Sequence, residues 1–441
     1  MGKGSSLHVR TTRVDITPRI GVTLGGRVGS RSSTKIHSRL EVNITVFSYE
    51  EDSCCIISID ILYAGMDLTK AIQKSIYENF GIPEQSVIIA ASHTHSAPNL
   101  DKSKPNLGEV NNEYYQDVLD KVLAAIRQLK HSPNRPATIR VASRNCKCGV
   151  NRRLRRTLPR LTRKGLRGAA ILMAPSKQRV PDPRVRCISL EDSETGEDLC
   201  FMWTLACHPT GFPSSHSISA EYVGAVRTAI RSTAQTPCTV QFLQGFSGDI
   251  KPPSGTRTFG EIVRAFVCGP RFVTMTLESW KQWTTDIVQA VLDAKEHATI
   301  RQPSVRCSTS NSISEIPLDA LIDGLEVERV STWKRLMLYE GHELLATNAE
   351  PVSHWCSLLR GRHVNVLDQW LVGCEGDVFG YLPTAKEIRQ GGYEADAHLN
   401  TFGLQGNFQK HLETNVLKAV HDLRHDESSL KTNPTSRISV A

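Results

Sequence analysis

Short apolar runs alternate with amphipathic stretches along most of the chain. Residues 67–81, for example, carry apolar side chains at helical spacing and end at Gly81, with Pro83 just beyond, which is typical of a helix end. The predicted helices are 67–81, 112–131, 222–233, 280–297, 351–361 and 408–425. The predicted strands are 39–49, 53–65, 86–96, 136–145, 186–192, 199–208, 238–246 and 365–374. This alternation indicates an α/β fold of mixed sheets with flanking helices.

The chain shows no internal repeat and no long linker between independent units. We therefore expect one large domain over residues 1–424, followed by a disordered polar tail at 425–441. No apolar run reaches the roughly 18 residues of a transmembrane helix, so none is expected.

Composition and the N-terminus favour a cytoplasmic location. The chain is 39% hydrophobic and 22% charged, as in soluble globular proteins, and residues 1–13 lack the apolar middle of a secretory signal. The twelve cysteines follow no regular framework, so we expect reduced thiols. The adjacent Cys54 and Cys55 lie in an apolar run and are expected to fill the core.

The net charge of +8 is unevenly placed, with eight basic residues and no acid between 152 and 167. A solvated loop is the favoured interpretation. The alternative is a patch for an anionic substrate, a membrane surface or nucleic acid. No aromatic residue interrupts the run and no nucleic-acid motif accompanies it. We therefore predict no nucleic-acid partner, while contact with a membrane surface stays open.

Two histidines follow an apolar run in the stretch ASHTHSAP at 91–98. On a strand, residues two apart point to the same face, so we expect His93 and His95 to project side by side. Alone, the pair allows a metal site, an acid/base pair or a structural role. His208 closes a second apolar strand in LCFMWTLACHPT. This repetition favours the metal site, because zinc is bound by neutral imidazoles on rigid elements.

A Gly-rich turn closes a third apolar strand in FLQGFSGDIKPP at 242–253. Gly245 and Gly248 would let the backbone approach a ligand closely. Asp249 could then face the same cleft as a site base or as a carboxylate that orients a ligand, although a Gly-Asp pair is also ordinary turn chemistry. Asp60, at the end of SCCIISID, is a further candidate for orienting a ligand histidine.

A set of motifs along nearly the whole chain resembles the neutral/alkaline ceramidase family, and more closely its shorter single-domain relatives. The motifs are, in order, VDITP, HTHSAP, GVNRR, CHPT with ISAEYVG, GFSGDIKP, AEPVSHW and GYLPTAKEIRQGGYE. Each is weakly specific alone, whereas their shared order, from about Arg13 to about His421, is strongly specific.

The resemblance implies zinc-dependent amide hydrolysis, with the metal held by two histidines, a glutamate and a tyrosine. At the matching positions these are His93 of HTH, His208 of HPT, Glu350 of AEP and Tyr393 of GGYE. It also implies that His95 lies beside the metal and contacts substrate, and that Arg152 of GVNRR faces the same pocket.

The chemistry of these residues agrees with the implied roles. Three or four protein ligands with an open position suit a catalytic zinc. Arg152 can stabilise the oxyanion of a tetrahedral intermediate, and His95 can move protons to the leaving amine.

One position departs from the family pattern. In ceramidases the Gly-Asp turn continues with a serine proposed as the nucleophile, whereas this chain has Lys251 in GDIKPP. Lysine cannot take the place of a seryl nucleophile, so attack by zinc-activated water is the natural alternative. Lys251 could bind an anionic group or stabilise developing charge, or it could be a surface lysine on a turn.

We therefore expect a zinc hydrolase that cleaves an amide bond of a small or lipid-like molecule. Ester or lactone hydrolysis and acyl transfer are alternatives, since the same oxyanion chemistry serves them. A member that binds zinc or a ligand without catalysis is the other alternative, motivated by the missing serine. The sequence does not identify the acyl group, the amine or the oligomeric state.

Overall fold

The structure is a computed structural model. It describes residues 6–26, 31–156, 160–162, 165–167, 170–178, 180–234, 236, 238–256, 258–306, 313–324, 329–360 and 368–425. The predicted tail after residue 425 and residues 365–367 of the last predicted strand lie outside the described residues.

A large mixed sheet occupies the first two thirds of the chain. Its strands are β1 (His8–Asp15), β2 (Glu41–Tyr49), β3 (Asp52–Ile59), β4 (Val87–Ala91), β5 (Arg135–Asn145), β6 (Arg184–Asp192), β7 (Asp198–Leu205), β8 (Thr239–Gln244) and β9 (Thr299–Arg301). They lie in the order β8-β7-β6-β5-β1-β2-β3-β4, with β9 beside β5. The pairs β3–β4 and β7–β8, at the two edges, are parallel. The strands predicted in this part of the chain are present, but those predicted at 53–65 and 86–96 end earlier, at Ile59 and Ala91.

The two edges of this sheet face each other. Gln241 on β8 is fully buried, and its side-chain amide donates to the backbone oxygens of Asn43 on β2 and Ile56 on β3, each at 2.8 Å. Because a buried amide must be satisfied, these bonds fix β8 against the opposite edge. The carboxyl ends of β4 and β8 therefore lie close together, and such ends are where α/β proteins form their sites.

A smaller sheet completes the arrangement. Its strands are β10 (Pro303–Arg306), β11 (Ser314–Pro317), β12 (Val330–Tyr339), β13 (His342–Thr347) and β14 (Asp368–Val372), with β13 and β14 parallel. The residues after β14 bridge to the first sheet: Gly373 N donates to Gln244 O at 2.9 Å, and Ala91 N donates to Cys374 O at 3.0 Å. The carboxyl ends of β4, β8 and β14 thus meet at one place.

Helices cover the sheets. They are α1 (Gly65–Phe80), α2 (Asn112–Lys130), α3 (Glu221–Thr233), α4 (Phe259–Cys268), α5 (Leu277–Glu296), α6 (Trp355–Leu359), α7 (Ala385–Gln390), α8 (His398–Thr401) and α9 (Leu412–His425). A π-helical turn, Tyr393–Ala397, precedes α8. The six predicted helices are present, and α4, α7 and α8 are additional helices that were not predicted from the sequence. Among the described residues, no helix combines the length and apolar character needed to cross a membrane.

Short strands lie outside the two sheets. They are Lys35–Ile36, Val150–Asn151, Arg153–Arg156, Arg160–Thr162, Gly165–Arg167, Ala170–Met173, Ser217–Ile218, Ile250–Lys251, Ile322–Asp323, Glu350–Pro351, Tyr381–Leu382 and Asn407–Phe408. The solvated loop predicted at 152–167 is wrong where it begins, because Arg153–Arg156 pairs with Ala170–Met173 and Arg153 is buried. Residues 157–159 and 163–164 of that run lie outside the described residues.

The adjacent cysteines on β3 fill the core, as predicted. Cys54 and Cys55 are fully buried and belong to different apolar clusters, because successive strand residues point to opposite faces. Ten of the twelve cysteines are free thiols: Cys54, Cys55, Cys146, Cys148, Cys187, Cys200, Cys207, Cys238, Cys356 and Cys374.

Candidate metal centre

Three histidines converge where the strand ends meet. One ring nitrogen from each of His93, His95 and His208 lies within 4.8 Å of the others. His93 and His208 are buried, and the Nε2 atoms of His93 and His95 are 3.3 Å apart. Such a buried group of imidazoles could bind a metal ion.

The two histidines of HTH meet for a different reason than strand geometry. Strand β4 ends at Ala91, so the expectation that His93 and His95 share one face of a strand is wrong. His93 instead adopts a left-handed backbone with φ of 62°, a conformation that costs a non-glycine residue energy and is often found at functional sites. The turn brings the two rings to 4.8 Å with a nearly perpendicular orientation.

Backbone carbonyl groups orient all three imidazoles. Each Nδ1 donates to a carbonyl oxygen: His93 to Leu62 at 3.2 Å, His95 to Gly26 at 2.6 Å and His208 to Ser247 at 2.7 Å. A proton on Nδ1 leaves the Nε2 lone pair free, and this is how metal-binding histidines are oriented. The three Nε2 atoms are therefore the candidate ligand atoms.

Asp60 does not orient a ligand histidine, and that prediction is wrong. Its Oδ2 accepts hydrogen bonds from the Arg227 guanidinium and from Glu41 N, the latter at 2.9 Å. Asp60 directly follows the buried strand β3, as the sequence showed, but its carboxylate is paired with the buried guanidinium of Arg227 on α3.

Glu350 supplies the carboxylate of the centre. Its Oε2 lies 3.1 Å from Nε2 of His93 and 3.2 Å from Nε2 of His208. Glu350 Oε2 and His208 Nε2 are buried and lack a hydrogen-bond partner among the described residues. An unsatisfied buried pair of this kind is costly. A cation bound between these atoms would satisfy both, so the donor set fits a metal such as zinc.

The protonation states of Glu350 and two of the histidines also suit metal binding. Burial alone would raise the pKa of Glu350, but His93 and His208 hold it well below its usual range. Burial lowers the pKa of His208 to about 4. Burial and the two neighbouring imidazoles lower the pKa of His95. Ionised carboxylate and neutral imidazole are the forms that bind metals.

His93 differs from the other two histidines. Burial opposes its protonation, but the thiol of Cys374 and the carboxylate of Glu350 raise its pKa well above the ordinary value. The direction of this shift reflects the buried negative charge of Glu350, which a metal ion bound at the centre would also neutralise.

Arg152 directly precedes the short strand Arg153–Arg156, and its charge acts on His208 of the centre. Its guanidinium is buried, donates through Nε to Glu394 Oε1 at 2.7 Å, and lies 5.5 Å from the ring centres of both Tyr381 and Tyr393. Its Nη2 has no hydrogen-bond partner among the described residues. A fixed, desolvated donor of this kind is suited to a developing oxyanion.

Tyr393 lies on the Arg152 side of the centre. Its ring is 5.4 Å from that of Tyr381, which is paired along the backbone with Glu350. Burial and then the charge of Glu350 raise the pKa of Tyr393. The structure thus places Tyr393 near the carboxylate, and its role as a metal ligand stays a prediction.

The Gly-Asp turn at 245–251 contacts the segments on either side of the centre and helps to position them. Asp249 is buried, and its two carboxylate oxygens accept from Asn151 Nδ2 at 2.7 Å and Ser353 N at 2.6 Å. These bonds favour a positioning role over that of a site base. A Cβ on Gly248 would lie 2.8 Å from Glu350 O. The glycine therefore permits close approach to the backbone of Glu350, while the expected approach of a ligand stays a prediction.

Lys251 follows Ile250, whose backbone contacts the candidate metal centre. Ile250 O accepts a second hydrogen bond from His208 Nδ1 at 3.0 Å. The Lys251 ammonium lies 5.3 Å from the ring centre of Phe272, within range of a cation–π interaction. A catalytic role for this lysine stays a prediction.

Two further residues were missed by sequence reasoning. Tyr63 is buried and donates from its hydroxyl to Glu350 Oε1. Glu221, in the ISAEYVG motif, accepts from Ser96 Oγ at 3.0 Å and from Phe212 N at 2.7 Å. Glu221 therefore ties the loop that follows HTH to the loop that follows HPT. The ISAEYVG motif could have pointed to Glu221. For Tyr63, the only signal in the sequence was its position shortly after β3.

Tyr63→Phe is expected to weaken metal binding by about tenfold to a hundredfold. The ring keeps its packing, but buried Oε1 of Glu350 loses its hydrogen bond and the carboxylate is no longer held in place. Competition with a chelator measures the affinity. Tyr339→Phe is the matched control, because that buried hydroxyl bonds to Asp368 at 2.6 Å in the second sheet. Equal metal affinities of Tyr63→Phe and wild type would contradict the role of Tyr63 in holding the Glu350 carboxylate.

Comparison with solved structures identifies the fold. The chain superposes on neutral ceramidase from Pseudomonas aeruginosa with a TM-score of 0.72 and 13% identity, covering 100% of this chain and 77% of that one. A structure described as ceramidase complexed with C2 gives a TM-score of 0.70 at 12% identity, covering 99% and 77% of the two chains. No family model and no curated protein sequence matches the chain. The chain therefore has a neutral ceramidase-like fold, as the motif order predicted.

Proposed function

We propose that the protein is a zinc-dependent hydrolase that cleaves the amide bond of a lipid-like N-acyl substrate. The observation that carries the proposal is the convergence of His93, His208 and Glu350, in which two buried ligand atoms lack a hydrogen-bond partner among the described residues. The fold shared with proteins described as ceramidases supports the choice of an amide, although a fold alone does not fix a reaction.

Each side chain has a distinct task in this reaction. His93, His208, Glu350 and Tyr393 would hold the metal. Bound zinc supplies a Lewis acid that activates water and polarises a carbonyl group.

The groups beside the metal act on the substrate. Arg152 donates from its unpartnered Nη2 to the carbonyl oxygen as negative charge develops there. His95 is fixed by its Nδ1–H bond to Gly26 O, so its Nε2 can accept a proton and pass it to the leaving amine. Asp249 and Glu221 position the loops that carry these residues.

Ester hydrolysis and acyl transfer are served by the same groups, because Arg152 stabilises the same kind of oxyanion in each case. Binding without catalysis is the second candidate, and Lys251 favours it, since a lysine stands where the resemblance implies a serine. The described cysteines are free thiols, which supports a cytoplasmic location.

A panel of N-acyl amines and matched esters, assayed before and after chelation, tests the proposal. We expect amide turnover that is lost on chelation and restored by zinc. Turnover of esters alone would replace the amide assignment with an esterase. A protein that binds zinc but turns over neither class would favour the non-catalytic candidate.

Lys251→Ala is expected to lower kcat/KM by about tenfold, if the ammonium stabilises charge at the substrate. Lys251→Arg should recover part of this loss because it keeps the charge. Lys147→Ala serves as the control, since Lys147 is exposed. Unchanged kinetics in Lys251→Ala would show that the lysine has no role at the substrate.

A further inference from the structure

Helix α4 presents an apolar face to solvent. Phe259 is 81% exposed, Ile262 53% and Val263 47%. These residues stand at positions i, i+3 and i+4 and therefore share one side of the helix. Exposing large apolar side chains together in this way is unfavourable in water and usually marks a surface that another body covers.

Three arginines lie on α4 or close to its C-terminal end. Arg264 is exposed directly beside Val263, and Arg271 follows the helix. The Arg156 guanidinium lies against Gly269, 3.2 Å from where a Cβ would stand, at the end of α4. Glu261 of the helix is engaged in the N-terminal capping box with Thr258. The local excess of arginines over this one capping glutamate suits a negatively charged partner.

The chain before and after α4 contacts residues at or near the candidate metal centre. Before the helix, Ile250 O accepts from His208 Nδ1 at 3.0 Å. After it, Met275 packs against Gly211, three residues beyond His208, where a Cβ would lie 2.9 Å from its Cε. The strand Arg153–Arg156 joins the Glu394 ion pair to the end of α4. The chain that carries α4 therefore leaves the neighbourhood of the centre before the helix and returns to it afterwards.

We propose that the exposed face of α4 docks on an anionic lipid surface. Apolar side chains that insert at the interface, flanked by arginines that meet acidic headgroups, are the features of helices that lie on membranes. The link to catalysis rests on the proposed function, in which a lipid-like amide would reach the centre from that surface. The docking itself does not depend on turnover.

Flotation of the full chain with vesicles tests the docking. We expect binding to phosphatidylcholine vesicles that contain phosphatidylserine and weaker binding to pure phosphatidylcholine. High salt should lower the first toward the level of the second. The combined variant Phe259→Ser, Ile262→Ser and Val263→Ser should bind about a hundredfold more weakly. Arg264→Gln should bind about fivefold more weakly. Ile300→Ser is the control, because Ile300 is 55% exposed on β9 and should leave binding unchanged.

Three results would overturn the docking: no vesicle binding by the wild-type chain, equal binding by the combined variant, or self-association of the wild type that the variant abolishes in the absence of vesicle binding. The last would assign the face to a second copy of the chain. Turnover of a water-soluble short-chain amide should be the same in wild type and variant. A wild type that binds vesicles without such turnover would refute the proposed function and leave the docking intact. Circular dichroism verifies that each variant is folded.

Discussion

Replacing His93 or Glu350 by alanine is expected to abolish metal binding and turnover together. Glu350 Oε2 lies 3.1 Å from His93 Nε2 and 3.2 Å from His208 Nε2, so each substitution removes a proposed ligand and leaves the remaining buried groups unpaired. We expect kcat/KM to fall by at least about a thousandfold. Metal analysis after gel filtration, followed by an amide assay, measures both effects.

Two controls separate loss of the ligand from loss of the fold. Glu350→Gln keeps an acceptor for the Tyr63 hydroxyl but removes the charge that binds the metal, so it should be folded and metal-poor. His297→Ala removes an exposed histidine whose Nδ1 bonds to Asp293 O at 2.8 Å, and it should behave as wild type. Folded His93→Ala protein with a full complement of metal would refute the ligand assignment.

His95→Ala is expected to keep the metal and lose turnover by about a hundredfold to ten-thousandfold, the range for general acid–base groups. The imidazole is fixed through Gly26 O and presents Nε2 to the centre at 3.3 Å from His93 Nε2. In the wild type the His95 imidazole lies close to both other histidines. The variant therefore also decides whether His95 transfers protons or binds the metal. A fall in kcat with unchanged metal content supports proton transfer.

Loss of metal from His95→Ala equal to that from His93→Ala would make His95 a third histidine ligand, and the division of tasks between the two would be wrong. Gly26→Ala provides an independent perturbation. The new Cβ would lie 2.8 Å from His95 Nδ1, and Gly26 has φ of +78°, so the imidazole must shift. We expect reduced turnover with the metal retained.

The sequence predicts the places where the strands end better than the contacts made there. Periodicity and apolar runs located His93 and His208 after buried strands, and the parallel edges of the sheet bring those ends together. The left-handed turn at His93 could not be foreseen, since only the surrounding contacts hold a histidine in that conformation. The proximity of the His93 and His95 imidazoles was therefore predicted correctly, but from a strand geometry that the structure does not have.

The residues that support the centre were the least predictable. Tyr63 and Glu350 are 287 positions apart, and no spacing rule links two side chains at that distance. Asp249 and Asp60 had the right residue type at strand ends, yet their partners are Asn151, Ser353 and Arg227. A carboxylate in the sequence shows its charge but not which donors the fold will bring to it.

Metal stoichiometry of the purified wild-type chain, determined together with its amide turnover, is the most direct test of the central claim. We predict about one zinc ion per chain, removed by a chelator with parallel loss of turnover and restored with it on adding zinc. Full turnover by the metal-free protein, or an ion that stays bound in both His93→Ala and Glu350→Ala, would contradict the account.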